Sequence, residues 1–131
     1  MIVGIGIDTV SIARFEKLIQ QRGERFLRKV FIEREITEGK KRIRSAPFFA
    51  ARFAAREAFF KALGTGWGRG ISLKEVSVIT AEQGQPRFNF SGRVEHALRS
   101  RGINSEHLSL THDGDSAQAI VILEKIQLEV P

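Results

Sequence analysis

The chain has no cysteine and no tyrosine, and only one tryptophan, one methionine, three histidines and three prolines among its 131 residues. Without cysteine there is no disulfide framework and no thiolate metal site. Three histidines (His96, His107, His112) spread over the C-terminal third argue against a multi-histidine zinc centre. Long hydrophobic runs are also missing. The opening apolar stretch is broken by Asp8 after seven residues, too short for the core of a signal peptide and without a basic flank. Nothing approaches the roughly 20 apolar residues of a membrane span. A cytoplasmic address is the expectation. Hydrophobic residues at 42% and charged residues at 27% exclude a disordered or low-complexity chain. A chain of this length buries roughly two-thirds of its unfolded surface and builds a core without staples. One domain over residues 1–131 is expected.

Charge is uneven. The formal net charge is +6, yet residues 14–56 hold thirteen Lys/Arg and five acids, a net of +8, which leaves the remainder at −2. A one-sided field of this kind attracts an anionic partner: nucleic acid, a phosphorylated ligand or an acidic protein. The plainer reading is a solvated helical surface with i,i+4 pairs such as Glu24 with Arg28 and Glu38 with Arg42.

Periodicity divides the chain into short elements. Residues 1–8 read as a buried strand ending at an acid. Ser11 is placed to cap a helix that runs to about residue 21 and stops at Gly23. Residues 25–32 read as a linking segment and 33–44 as a polar, exposed helix. Pro47 fits the first turn of the strongest helix, 48–63. Residues 64–70 form a glycine-rich loop. Residues 76–80 and 87–90 read as a hairpin. A helix at 91–101, capped by Ser91 and stopped by Gly102, precedes strands at 107–112 and 117–126, with Gly114 and Asp115 at their turn. Helices mixed with hairpin strands predict an α+β fold: a mostly antiparallel sheet packed against a central buried helix.

That central helix carries charges it should not. Residues 48–63 are apolar on almost every side, which marks a core helix. Arg52, Arg56, Glu57 and Lys61 interrupt it, and buried charge is costly unless paired or bound to something. By spacing alone a Glu57–Lys61 ion pair at the rim is the simpler reading. The alternative is a site, with one carboxylate for a metal and a lysine for a phosphate. Asp8 bears on the choice. It either starts a turn and caps the next helix, or supplies a second carboxylate, a set that suits Mg²⁺ bound to phosphate. The glycines at 64, 66, 68 and 70 follow a helix and lack a following Gly-Lys-Ser/Thr, so they are neither a Rossmann nor a P-loop fingerprint. Gly64 reads as a helix C-cap, and the rest as a mobile loop lining a groove. His112, beside Asp113, reads as structural.

Three motifs now stand in order: Gly4-Ile5-Gly6-Ile7-Asp8; Arg52-Phe53-Ala54-Ala55-Arg56-Glu57-Ala58 followed by Lys61-Ala62-Leu63-Gly64-Thr65-Gly66; and Leu108-Ser109-Leu110-Thr111-His112-Asp113. Together they resemble the holo-acyl-carrier-protein synthases, the small 4′-phosphopantetheinyl transferases, over nearly the whole chain. Phe59-Phe60 stands where the family has smaller residues, and Thr111 where serine is common.

The resemblance implies an Mg²⁺-dependent transfer of 4′-phosphopantetheine from coenzyme A to a serine of an apo acyl carrier protein, releasing adenosine 3′,5′-bisphosphate, in fatty acid biosynthesis. It implies Asp8 and Glu57 as metal ligands, with Glu57 or a water on the metal as base, and Lys61 as the group that holds phosphate oxygens. Gly64, Thr65 and Gly66 would let the backbone approach coenzyme A, and His112 would touch one of its phosphates. The basic segment would then meet the acidic carrier, with Arg14 first and Arg22, Arg25 and Arg28 behind it. The family implies a homotrimer with sites between subunits, and Arg44, Arg52 or Arg87 as residues reaching across. The other reading of the basic segment is a small nucleic-acid-binding protein. Ten phenylalanines are available to stack on bases, but no familiar nucleic-acid motif is present.

Overall fold

The computed structural model describes residues 1–128. Strand β1 (Ile2–Ser11) leads into helix α1 (Ile12–Val30), followed by α2 (Glu33–Lys40) and the long α3 (Ala46–Leu63). A 3-10 turn (Leu73–Glu75) opens the hairpin of β2 (Val76–Thr80) and β3 (Pro86–Phe90). Helix α4 (Gly92–Ser100) precedes β4 (Ser105–Asp113) and β5 (Ser116–Glu124). β1, β5 and β4 form an antiparallel sheet in that order, and β2 and β3 form a separate two-stranded ribbon. The expected α+β architecture is observed, with α3 buried between the sheet, the ribbon and α1.

Two glycines set how close α3 lies to the sheet. A Cβ at Gly4 would stand 1.8 Å from the carbonyl oxygen of Ala62, and one at Gly6 would stand 1.8 Å from that of Ala58. Small residues on both sides therefore let strand and helix backbones touch, the approach that glycine permits. Because side chains alternate along a strand, Asp8 shares the face of Gly4 and Gly6. It lies past the Gly6–Ala58 contact, within reach of the Lys61 side chain. Ala117, Ala119, Val121 and Leu123 of β5 complete the buried face.

Several boundaries depart from the sequence expectations. The first strand continues to Ser11, three residues past Asp8, held by register pairs through Ser11 with Ser116. Gly23 kinks α1 at φ 64° but does not end it, and residues 24–30 are helical where a link was expected. A glycine in that region breaks one turn. Burial of Leu27 and Val30 against the core then restarts the helix. The helix at 33 ends at Lys40, and Glu35, Ile36 and Gly39 are buried on it, so it is not simply a polar exposed helix. Ser91 makes no side-chain cap on α4. Glu75 takes that place, accepting from the amides of Arg93 and Val94 while also accepting from Ser72.

Glu35 explains the charge buried in α3. Its carboxylate receives both terminal nitrogens of Arg56, and each side chain is about 1% exposed or less. Arg56 also donates from Nε to the carbonyl of Leu73, and Glu35 accepts from the amides of Ile32 and Val78. The pair ties α2, α3, the 3-10 turn and β2 at one point.

Candidate active site

Asp8 lies on β1, three residues before the strand ends, on the face that α3 crosses. Lys61 Nζ donates to Asp8 Oδ1 and to the carbonyl oxygen of Ile7, each at 3.0 Å. The Glu57–Lys61 pair suggested by i,i+4 spacing is absent among the described residues, because the sheet offers Lys61 a second carboxylate and a carbonyl from β1. Glu57 instead accepts from the indole Nε1 of Trp67 at 3.2 Å. One oxygen of each carboxylate, Asp8 Oδ2 and Glu57 Oε2, has no hydrogen-bond partner among the described residues.

Asp8 and Glu57 line one pocket of about 350 Å³ with Ser11, Arg14 and Phe53. Across Glu57 lies a groove of about 400 Å³ bounded by Phe60, Lys61, Gly64, Thr65, Gly66 and Trp67. Glu57 is therefore the ridge between the two. Gly64 closes α3 in the left-handed conformation at φ 82°, and its amide bonds back to Phe60 at 2.9 Å. Arg101 donates to the last carbonyl of the helix, Leu63, at 2.7 Å, which fixes where the glycine loop departs. Opposite, Asp115 holds the entrance of α1. It accepts from Ser11 Oγ and the Ala13 amide, both at 2.8 Å. The Ser11 hydroxyl first, then that amide, hold its carboxyl below the usual Asp range.

His112 does not join this group. It sits on β4, and β5 lies between it and β1. It lines instead a cleft of about 840 Å³ between β4, the ribbon and the first half of α3. Arg42, Arg44, Arg52, Arg87 and His107 line it too, with Glu106 as its one carboxylate. Burial pushes the Glu106 carboxyl up against the opposing pull of His107 and Arg87. Arg52 stacks 3.7 Å over the ring of Phe48 and donates to Thr80 Oγ1 at 3.1 Å, while its Nε is buried with no partner. Burial pulls the Arg52 guanidinium below its ordinary range, with Glu38 opposing. A buried, incompletely satisfied guanidinium in a cationic cleft is suited to an anion.

A family model described as the 4′-phosphopantetheinyl transferase superfamily matches residues 4–120, a span that contains both pockets and the cleft. A holo-acyl-carrier-protein synthase of Syntrophus aciditrophicus is 44% identical over 127 residues, 97% of this chain and 99% of the relative. The chain belongs to the holo-acyl-carrier-protein synthases. Solved structures of this enzyme family share its fold. The synthase from Neisseria meningitidis superposes with a TM-score of 0.88 at 33% identity, covering 95% of this chain and all of the other. The synthase from Bacillus anthracis, solved in complex with coenzyme A (3′,5′-ADP), gives 0.79 at 34% identity, covering 96% and 99%.

Of the basic residues expected to face a partner, Arg14 stands at the rim of the pocket that holds Asp8 and Glu57. Arg28 is engaged by Glu24 and Glu33, whereas Arg14, Arg22 and Arg25 have no ion pair among the described residues. Trp67 and Glu35 were not legible as functional or anchoring residues. The only signal for Trp67 was that it is the chain's sole tryptophan and stands in the glycine loop. No helix among the described residues is long and apolar enough to cross a membrane.

Proposed function

We propose that this synthase transfers 4′-phosphopantetheine from coenzyme A to a serine hydroxyl of an apo acyl carrier protein of fatty acid biosynthesis, with Mg²⁺, releasing adenosine 3′,5′-bisphosphate. The observation that carries it is the sharing of one pocket by Asp8 and Glu57, with Lys61 on Asp8 and the glycine loop adjoining. Asp8 and Glu57 are the residues that would hold the cation. Their donor set fits, since each has a carboxylate oxygen without a hydrogen-bond partner among the described residues. Magnesium takes one or two carboxylates and completes its shell with waters and phosphate oxygens. When bound, it neutralises charge on the diphosphate.

Lys61 has three donors and spends two on Ile7 and Asp8. The third is free for a phosphate oxygen as charge develops in the transfer. Glu57, directly or through a water, would receive the serine proton. The arginine cleft with His112 suits the phosphate-rich adenosine end of coenzyme A. Asp8 and His112 lie on the same face of the sheet but on its two edge strands, with β5 between them, and a site completed by a second subunit would bring both kinds of group to one ligand. Ile5 and Ile7 are about 60% exposed on the outer sheet face, with Ile120 at 40% beside them. An apolar face of this kind calls for cover, and we assign it to a homotrimer with sites between subunits. Arg14, Arg22, Arg25 and Arg28 would orient the acidic carrier, and a cytoplasmic address goes with this substrate pair. The nucleic-acid reading of the basic segment gives Asp8 and Glu57 no task.

Mass spectrometry of an apo acyl carrier protein incubated with this enzyme, coenzyme A and Mg²⁺ tests the proposal. A metal-dependent gain of one phosphopantetheine group is expected. No gain with several carriers, or an equal gain in chelator, overturns the reaction or its metal.

A further inference from the structure

Trp67 is the chain's single tryptophan and is half exposed, so core packing does not account for it. Its indole N–H points at a carboxylate rather than at water, reaching Glu57 Oε1 at 3.2 Å. The loop that carries it is held on both sides. The amides of Gly64 and Thr65 bond to Phe60 at the end of α3. Past Trp67, Gly68 and Ile71 exchange two backbone hydrogen bonds at 3.0 Å, and Arg93 of α4 donates to the carbonyl of Arg69 at 3.2 Å. That second anchor is built on three consecutive residues with positive φ, Gly68, Arg69 and Gly70. Arg69 is the only non-glycine among the described residues in that region, a conformation that persists when its surroundings hold it. The tryptophan thus projects from a fixed turn onto the ridge between the two pockets.

We infer that Trp67 is a positioning residue. Its indole N–H holds one oxygen of Glu57, so the carboxylate has a set orientation and offers its other oxygen to the cation site. This rests on the reading of Glu57 as a metal ligand. A side chain on a helix surface otherwise samples several rotamers, and fixing one in advance removes that cost from binding. Tryptophan is a donor only, so it cannot itself take a place on a cation. It acts through Glu57, as outer hydrogen bonds act on metal ligands generally. The same contact links the glycine loop to the site, since a ligand entering the groove against Trp67 reaches Glu57 through it.

A chain with one tryptophan gives one indole N–H resonance, and a ¹H–¹⁵N spectrum reads the contact without any turnover. In metal-free protein, Glu57→Ala should move that resonance. MgCl₂ should move it in the wild type and leave it in place in Glu57→Ala. Calorimetry should show Mg²⁺ binding weakened about 10-fold in Trp67→Phe, the lower end for loss of an outer hydrogen bond to a ligand, with the melting temperature unchanged. Replacing tryptophan throughout with β-(3-benzothienyl)alanine alters this position alone and keeps the ring shape without the N–H. It should weaken Mg²⁺ binding as Trp67→Phe does. An indole resonance identical in wild type and Glu57→Ala, or full Mg²⁺ affinity in the benzothienyl protein, overturns the role of Trp67. If the wild type binds no Mg²⁺ while Glu57→Ala still moves the resonance, the metal reading fails and the tether stands.

Discussion

Lys61 reaches across from α3 to Asp8 on β1, with its Nζ 3.0 Å from Oδ1. The contact joins a helix and a strand 53 residues apart in sequence. It leaves Glu57, one turn away on the same helix, to Trp67. Lys61 is more than half exposed, so its value to stability is small. Lys61→Ala should therefore keep the fold, measured by circular dichroism. It should lower kcat about 100-fold or more, the usual cost of one transition-state donor. Asp8→Ala and Glu57→Ala should each abolish transfer with the fold intact. Normal activity in either would remove that residue from the site.

Gly6→Ala tests the helix–strand approach. The added methyl meets the carbonyl of Ala58 at a separation no Cβ tolerates. Overpacking of this kind costs about 1–3 kcal/mol or more. A thermal melt lower by several degrees is expected. Activity should fall further than stability explains, because Asp8 would be pushed from Glu57.

Arg56→Ala should be among the most destabilising single changes in the chain, by about 3–5 kcal/mol, because it leaves Glu35 buried and unpaired. Removing both charges with apolar residues of similar volume should cost much less than the two single changes added together. Chemical denaturation of the four proteins gives the coupling directly. Additive losses would mean the two side chains act separately.

Glu75 links the 3-10 turn to α4. Burial works upward on its carboxyl, but the amides of Ser72, Val94 and Arg93 outweigh it and hold it below the usual Glu range. A depressed folded value means the unfolded chain binds the proton more readily. The stabilisation is then complete above the unfolded Glu range and is lost as pH falls through the folded value. Glu75→Gln should be less stable than wild type at neutral pH, by about 1 kcal/mol, as for loss of a helix cap. The gap should close in acid. A gap that stayed constant with pH would show that the charge is not what matters.

Ile7 and Ile120 are neighbours in register on the outer sheet face. If that face is an interface, Ile7→Glu should shift the oligomer toward monomer in light scattering and lower activity with it. An unchanged mass would place the interface elsewhere.

Much of this protein was determined locally. Alternating small and apolar residues before Asp8, the alanine-rich helix with Pro47 at its start and Gly64 at its end, and the hairpin turns follow from backbone sterics and periodicity. These are short-range physics that adjacent residues carry. Asp8, Glu57 and Lys61 stood out as charges at a strand and in a core helix, but only the family resemblance gave them roles. The choice of partner was not legible. Spacing offered Lys61 to Glu57, and only the packing of α3 on β1 brought Asp8 within reach. Glu35 looked like one more surface acid until folding brought Arg56 to it from 21 residues away. His112 stood in a motif beside Asp113, yet sheet order set it a strand away from the Asp8 pocket. Pairings between charges depend on distances that chain separation does not encode. They are decided when the core closes and each buried or half-buried charge must meet whichever partner the packing presents.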